Sequence, residues 1–280
     1  MKEAGTIKSS VETRYIVELG GELAGILEVF GEEAMRLGLR GVLGFAPFKD
    51  VYKTLMPIQR RRLGELCGEA LSSMRSAISI AYAYPREAID SIPMEGYRES
   101  WNIYARAYHR LNRALNHTAG RIAELADGVV VPATLEGFAG EVDHVRDFYA
   151  ATVSHRVAAE LAGVGWRGKS GLIVNPRYAS AIRLATIYTP LQLPSTGPSE
   201  GRCGGCEACL EACPLLRAER LDEDYRELCR RYILTLERRG LEADVCGRCV
   251  RACVESFESG YMSRHLNPDW IRRPYYIDIN

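Results

Sequence analysis

Eight of the nine cysteines fall between positions 203 and 253 of a 280-residue chain, and their spacing restricts what that segment can fold around. The first run is Cys203-x2-Cys206-x2-Cys209-x3-Cys213-Pro214, the bacterial spacing for a [4Fe–4S] site. Cys229 then stands alone, and Cys246-x2-Cys249-x3-Cys253 follows. A cube takes four thiolates, so these cysteines supply two cubes with none left over. Three cysteines at i, i+3 and i+6 wrap one cube in a short turn, while the fourth of such a run reaches the other cluster. In the second run Ala252 occupies the place of the third regular cysteine, and Cys229 is the natural substitute. The expected wiring is therefore Cys203, Cys206, Cys209 and Cys253 for one cluster, and Cys213, Cys229, Cys246 and Cys249 for the other. Zinc fits less well, because it prefers separated ligand pairs. Disulfides require an oxidising compartment. Cys67 lies alone in an amphipathic stretch and reads as a small buried apolar residue.

Clusters of this kind move single electrons, so the remaining two hundred or so residues should hold whatever uses them. Lys plus Arg equal Asp plus Glu at 36 each, which gives no whole-chain electrostatic case for nucleic acid. No apolar run approaches the ~20 residues of a membrane-spanning helix. No secretory or twin-arginine pattern opens the chain, so the expected location is cytoplasmic. Only two glutamines occur, Gln59 and Gln192, as in heat-adapted sequences.

Periodicity predicts alternating helices and strands: helix over about 11–38, strand at 41–46, helix around 58–75, strand at 77–84, a long helix over about 97–126, a short strand at 129–131 and helix over about 141–162. The β-rich runs 172–174 and 182–189 flank Asn175-Pro176-Arg177-Tyr178 and read as an antiparallel hairpin. The stretch 193–201 (LPSTGPSEG) reads as a linker, which divides the chain into an α/β domain, 1–195, and a small domain, 196–280, that carries both clusters. Gly163 to Ser170 (GVGWRGKS) matches the P-loop pattern literally. A P-loop follows a strand and opens a helix; here a helical segment precedes the loop and a strand follows, so nucleotide binding is not expected.

The same segment carries a family resemblance. Ser154-His155-Arg156, Ala162 to Ser170 (AGVGWRGKS), Leu172 to Tyr178 (LIVNPRY) and Arg183 to Thr189 (RLATIYT) resemble the core of epoxyqueuosine reductases and their archaeal relatives. Those are cobalamin-dependent iron–sulfur enzymes, and reductive dehalogenases share a similar core. Tyr104 to His109 (YARAYH) resembles a further stretch of that family, and the cysteine layout with its lone Cys229 is similar too.

The resemblance implies a nitroreductase-like α/β domain, with a mixed sheet flanked by helices, cradling a corrinoid against a ferredoxin-like domain with two [4Fe–4S] clusters. It also implies an oxidoreductase that passes two single electrons to the corrinoid and delivers a proton to an electrophilic substrate, which the sequence does not name. An external donor of ferredoxin or flavodoxin type would feed the clusters. The segments matching Gly168–Ile173 and Leu184–Ile187 line the corrinoid in that family. The cofactor-binding candidates are therefore Tyr104, Arg106, His109, His155, Gly165, Trp166, Gly168, Lys169, Ile173, Leu184 and Ile187. Where the family places an aspartate as proton donor, an ungapped match places Tyr149, with Asp147 two residues away; both are candidate catalytic acids. Two alternatives accompany this expectation: a non-catalytic electron carrier without corrinoid, and a tRNA-modifying reductase, which predicts a basic surface near the cofactor face.

Overall fold

A computed structural model describes residues 21–133, 141–217, 224–258 and 273–278. The described strands form a five-stranded sheet in the order β3-β6-β2-β1-β7 and a separate two-stranded ribbon, β4-β5. The strands are β1 (Gly41–Pro47), β2 (Ser76–Ala83), β3 (Val129–Val131), β4 (Trp166–Arg167), β5 (Ile173–Val174), β6 (Ile182–Thr189) and β7 (Tyr275–Ile277). Every pairing is antiparallel, which corrects the expectation of a mixed sheet.

The central strand β2 explains the layering. Side chains alternate across a strand, and Ile78, Ile80 and Tyr82 pack on one face while Ala77, Ala81 and Ala83 lie on the other. The bulky face is covered by α1 (Gly21–Leu37), through Ile26 and Phe30. It also meets a long helix (Asn102–Leu125) that brings Leu111, Leu115 and Ile122 at helical spacing. The alanine face lets helices approach closely: α2 (Phe48–Thr54), α3 (Pro57–Cys67) and the helix His155–Leu161 pack there. With the short α4 (Arg86–Asp90) between them, the long helix is α5, and the next two are α6 (Val145–Ala151) and α7 (His155–Leu161).

The first ten residues of the expected helix 11–38 lie outside the described residues; the rest forms α1. The expected single helix over 141–162 is two helices, because Thr152 to Ser154 is extended between α6 and α7. The expected hairpin of 172–174 with 182–189 is also corrected. Trp166 pairs with Val174 and Arg167 with Ile173, while β6 runs along β2 over its whole length. The Asn175 amide locks the turn between β5 and β6: its oxygen accepts from the backbone N–H of Arg177 at 2.8 Å and of Tyr178 at 3.1 Å. The 193–201 segment is fastened to the sheet, since the Thr196 hydroxyl is buried and accepts from the Phe45 N–H at 2.7 Å.

The cysteine-bearing chain then forms α8 (Ala208–Ala212), α9 (Pro214–Arg217), α10 (Tyr225–Arg238) and α11 (Arg248–Glu258). Beyond it β7 returns to the sheet edge, where Leu43 pairs with Tyr275 and Gly41 with Ile277. Among the described residues no helix is long and apolar enough to cross a membrane.

Candidate redox site

The eight clustered cysteines form two groups of four. Cys203, Cys206, Cys209 and Cys253 surround one small space of about 20 Å³, into which Gly168, Lys169 and Phe257 also face. The loop before α8 and the start of that helix supply three of these thiols, and α11, packed against α8, supplies the fourth. Trp166 covers the group: its indole N–H points at the Cys203 sulfur at 3.5 Å, and its ring stacks on Phe257 at 6.3 Å. The Ser256 hydroxyl lies 3.2 Å from the Cys206 sulfur, and Lys169 pairs with Glu207 at 3.3 Å.

Cys213, Cys229, Cys246 and Cys249 face a different space, a cavity of about 490 Å³ between the sheet domain and α10–α11, within the usual size of a ligand pocket. Gly247 has φ +82°, and a Cβ there would stand 2.7 Å from the Tyr104 ring, so this glycine lets the Cys246–Cys249 turn close onto α5. Burial pushes the free thiol of Cys229 up to about 12, with Cys246 and Cys213 adding to the rise. Burial also pushes Cys246 up to about 11 and Cys249 well above the ordinary thiol range. Cys249 senses Cys209 across the gap, so the two groups are neighbours. Among the described residues no three His, Cys, Asp or Glu side chains converge as they would on a single ion.

The cavity also gathers part of the predicted cofactor set. Tyr104, Ile173 and Leu184 line it, with Leu172 and Arg183 beside them. Tyr104 stacks on Tyr84 at 4.9 Å and forms a flat apolar wall. Arg183 donates to the Asn112 side-chain oxygen at 3.0 Å and lies over the Tyr108 ring at 4.3 Å. His155 reaches the cavity with both ring nitrogens engaged. Its Nε2 donates to the Pro132 carbonyl at 2.9 Å, which leaves Nδ1 to accept from the Thr186 hydroxyl at 3.0 Å. Burial pushes its imidazole down to about 4, so it is neutral at pH 7 and holds α7 to the sheet.

Several predicted cofactor residues lie elsewhere. Ile187 is wholly buried in the core, because residues three apart on a strand face opposite sides and Leu184 takes the cavity side. Arg106 and His109 grip the loop before Cys246: Arg106 pairs with the Glu242 carboxylate at 3.0 Å, and a His109 ring nitrogen lies 2.8 Å from the Glu242 carbonyl. Trp166, Gly168 and Lys169 lie against the first thiol group instead of this cavity, and they also border an open groove of about 970 Å³ beside Cys203. Gly165 is needed by the β4–β5 ribbon, where a Cβ would stand 2.4 Å from the Val174 carbonyl oxygen.

The two acid candidates separate cleanly. Asp147 is exposed, and its carboxylate caps α6 by accepting from the His144 N–H at 3.0 Å. Tyr149 lines the cavity; its hydroxyl is buried with no partner at hydrogen-bond geometry among the described residues, and burial raises its pKa against the opposing pull of Arg226. Helix α6 is held in place by Glu227 of α10, which accepts from the Val145 N–H at 2.8 Å.

Sequence reasoning missed Gln59, Arg62 and Arg156, which also line the cavity. The signal available for the first two was their i, i+3 spacing on one face of α3.

Known proteins share this arrangement of sequence. An epoxyqueuosine reductase from Bacillus cereus is 30% identical over 161 residues, 54% of this chain and 39% of that protein. One from Gloeobacter violaceus is 28% identical over 212 residues, 75% of this chain and 59% of that protein. The chain is similar to epoxyqueuosine reductases. It spans 39% of the length of the first curated relatives it matches. Among solved structures, the epoxyqueuosine reductase of Streptococcus thermophilus aligns over 68% of this chain and 52% of its own, with a TM-score of 0.40 and 22% identity. An epoxyqueuosine reductase crystallised with an epoxyqueuosine-modified tRNA-Tyr stem loop gives the same TM-score, 0.40, over 70% of this chain and 53% of its own. No protein-family model matches the chain.

Proposed function

We propose that this chain is an iron–sulfur oxidoreductase of the epoxyqueuosine-reductase type. In this reading Cys203, Cys206, Cys209 and Cys253 hold one [4Fe–4S] cluster and Cys213, Cys229, Cys246 and Cys249 the other. The observation that carries it is the sharing of one cavity by the second thiol foursome, the apolar wall of Tyr104, Ile173 and Leu184, and the unpartnered hydroxyl of Tyr149. A bare electron carrier has no use for such a cavity.

A corrinoid fits this space on its chemistry: its macrocycle is flat and apolar across the face, as are the Tyr104 ring and the Leu172–Ile173 edge. When bound it would supply low-potential two-electron chemistry, fed one electron at a time. The residues of the chain do the rest. At the first thiol group, covered by Trp166, an external donor of ferredoxin or flavodoxin type would deliver electrons, and the second thiol group would hold the cluster that borders the cavity. Tyr104, Ile173 and Leu184 would hold the cofactor and exclude water. Arg183, fixed by Asn112 and Tyr108, places a cation at the rim. Tyr149 keeps its proton at neutral pH and is aimed to donate it to the reduced substrate.

The electrophile that best matches the relatives is the epoxide-bearing nucleoside in their name. A second reading, that the nucleoside is carried in RNA, has one observation in its favour. Residues 48–67 of α2 and α3, beside the cavity, hold Lys49, Lys53, Arg60, Arg61 and Arg62 against only Asp50 and Glu65.

The test is anaerobic reconstitution with iron, sulfide and hydroxocobalamin, followed by turnover of epoxyqueuosine, free and in a tRNA stem loop. The expected result is about eight irons and one retained corrinoid per chain, with turnover lost in Tyr149→Phe and the irons kept. About eight irons with no retained corrinoid would replace the reductase by the carrier.

A further inference from the structure

The wall of the cavity formed by α3 and α6 carries polar atoms with no partner at hydrogen-bond geometry among the described residues. Gln59 is 4% exposed and lines the cavity, and no hydrogen bond joins its amide to any described residue. One turn along the same face, the Nε–H of Arg62 is buried without a partner, and the Tyr149 hydroxyl on the facing helix is in the same condition. Gln59, Arg62 and Leu66 follow one another at three and four residues, so they form a single stripe on α3, which packs directly against α6. Buried polar groups in folded proteins are almost always paired, and each exception calls for a missing partner. Two such atoms, Arg62 Nε and the Tyr149 hydroxyl, flank a Gln59 amide that faces the cavity, and one shared partner would answer all three.

The chemistry of that partner follows from the inventory. The Gln59 amide offers two donors and an acceptor, Tyr149 one donor and an acceptor, and Arg62 one donor. Glu65 already pairs with Arg62 at 2.9 Å, so what α3 leaves unpaired toward the cavity is one N–H and a neutral amide. What it matches is a neutral group that accepts and donates side by side.

We infer that Gln59, Arg62 and Tyr149 form a binding subsite for a neutral hydroxyl- or carboxamide-bearing group of a molecule held in the cavity, an inference that rests on the reductase reading above. Hydroxyls would come from the substrate, carboxamides from the rim of the corrinoid. Gln59 and Arg62 lie outside the segments that carry the family resemblance, so their part of the subsite is this chain's own.

The experiment measures two quantities on Gln59→Leu and Tyr149→Phe in the iron-loaded protein: thermal stability without ligand, and binding by equilibrium dialysis of cobinamide, which keeps the ring carboxamides, and of epoxyqueuosine nucleoside. Gln59→Leu removes an unpartnered buried amide, so the ligand-free protein melts at the same temperature or higher. A structural role for Gln59 predicts a lower one. Affinity for one probe falls about tenfold in each variant: loss confined to cobinamide assigns the subsite to the cofactor, and loss confined to the nucleoside assigns it to the substrate. Unchanged affinity for both probes, in a wild-type protein that binds either, overturns the subsite and leaves the reductase standing. A wild-type protein that binds neither overturns both.

Discussion

Neutralising Glu227 should loosen the wall that carries Tyr149. The carboxylate is 1% exposed and accepts from the Arg230 guanidinium at 2.7 and 2.8 Å, from Arg231 at 2.9 Å and from the Val145 N–H at 2.8 Å. These partners, Arg230 foremost, hold its pKa down at about 2. In Glu227→Gln the side-chain oxygen can still accept from Val145, but Arg230, 11% exposed, loses its counter-ion. Breaking a buried pair costs about 3–5 kcal/mol. The low end applies, because Arg230 keeps the carbonyls of Val142 and Asp143 and because the exposed Arg231 contributes little. About 3 kcal/mol corresponds to a fall of roughly 6–12 °C in melting temperature for a chain of this size. The pH dependence has a definite sign. The folded-state pKa lies below the ordinary 4.5, so the stabilisation is fully present above pH 4.5 and is lost as pH falls toward 2. Melting of the anaerobic iron-loaded protein from pH 7 down to pH 4 should therefore show a gap between wild type and variant that is constant near neutrality and narrows on acidification. A variant melting within about 1 °C of wild type at pH 7, against the roughly 6–12 °C expected, or a gap that widens in acid, refutes the reasoning.

Two further outcomes follow from particular contacts. Trp166→Phe removes an indole donor to the first thiol group, and hydrogen bonds to cluster sulfurs raise reduction potentials; a redox titration followed by electron paramagnetic resonance should show one cluster shifted to more negative potential, the other unmoved, and the iron content unchanged. Ile187→Ala empties a filled core site and should cost about 2–5 kcal/mol of stability, measured by denaturant unfolding, without altering corrinoid affinity; Leu184→Ala should cost less stability and weaken corrinoid retention.

Much of this was legible in the residues. Cysteine spacing carried the partition into foursomes because short loops leave each thiol few places to go. The strands 41–46 and 77–84 were readable because unbroken apolar runs bounded by prolines have no other home. Pairing was not readable in the same way. Residues 172–174 and 182–189 are neighbours in sequence, but β5 is two residues long, and the glycine-rich turn before it hands it Trp166 and Arg167 as partners. The Gly163–Ser170 loop has one sequence and two exposures. Its Trp166–Lys169 side meets Cys203 while the chain just beyond, at Leu172 and Ile173, turns to the cavity. Leu184 and Ile187 could not both have lined one ligand, a conclusion that strand alternation alone supplies. Gln59 belongs to no motif; beyond its i, i+3 spacing with Arg62, only its burial at the cavity wall marks it.

The central claim is that Cys213, Cys229, Cys246 and Cys249 hand electrons into the cavity. It is tested most directly by following the visible spectrum of bound corrinoid after chemical reduction of the clusters, in wild type and in Cys229→Ala. Cys229→Ala should keep about four irons, still show the reduced signal of the first cluster, and reduce the corrinoid at least about tenfold more slowly than wild type. Corrinoid reduction at the wild-type rate in that variant would contradict it.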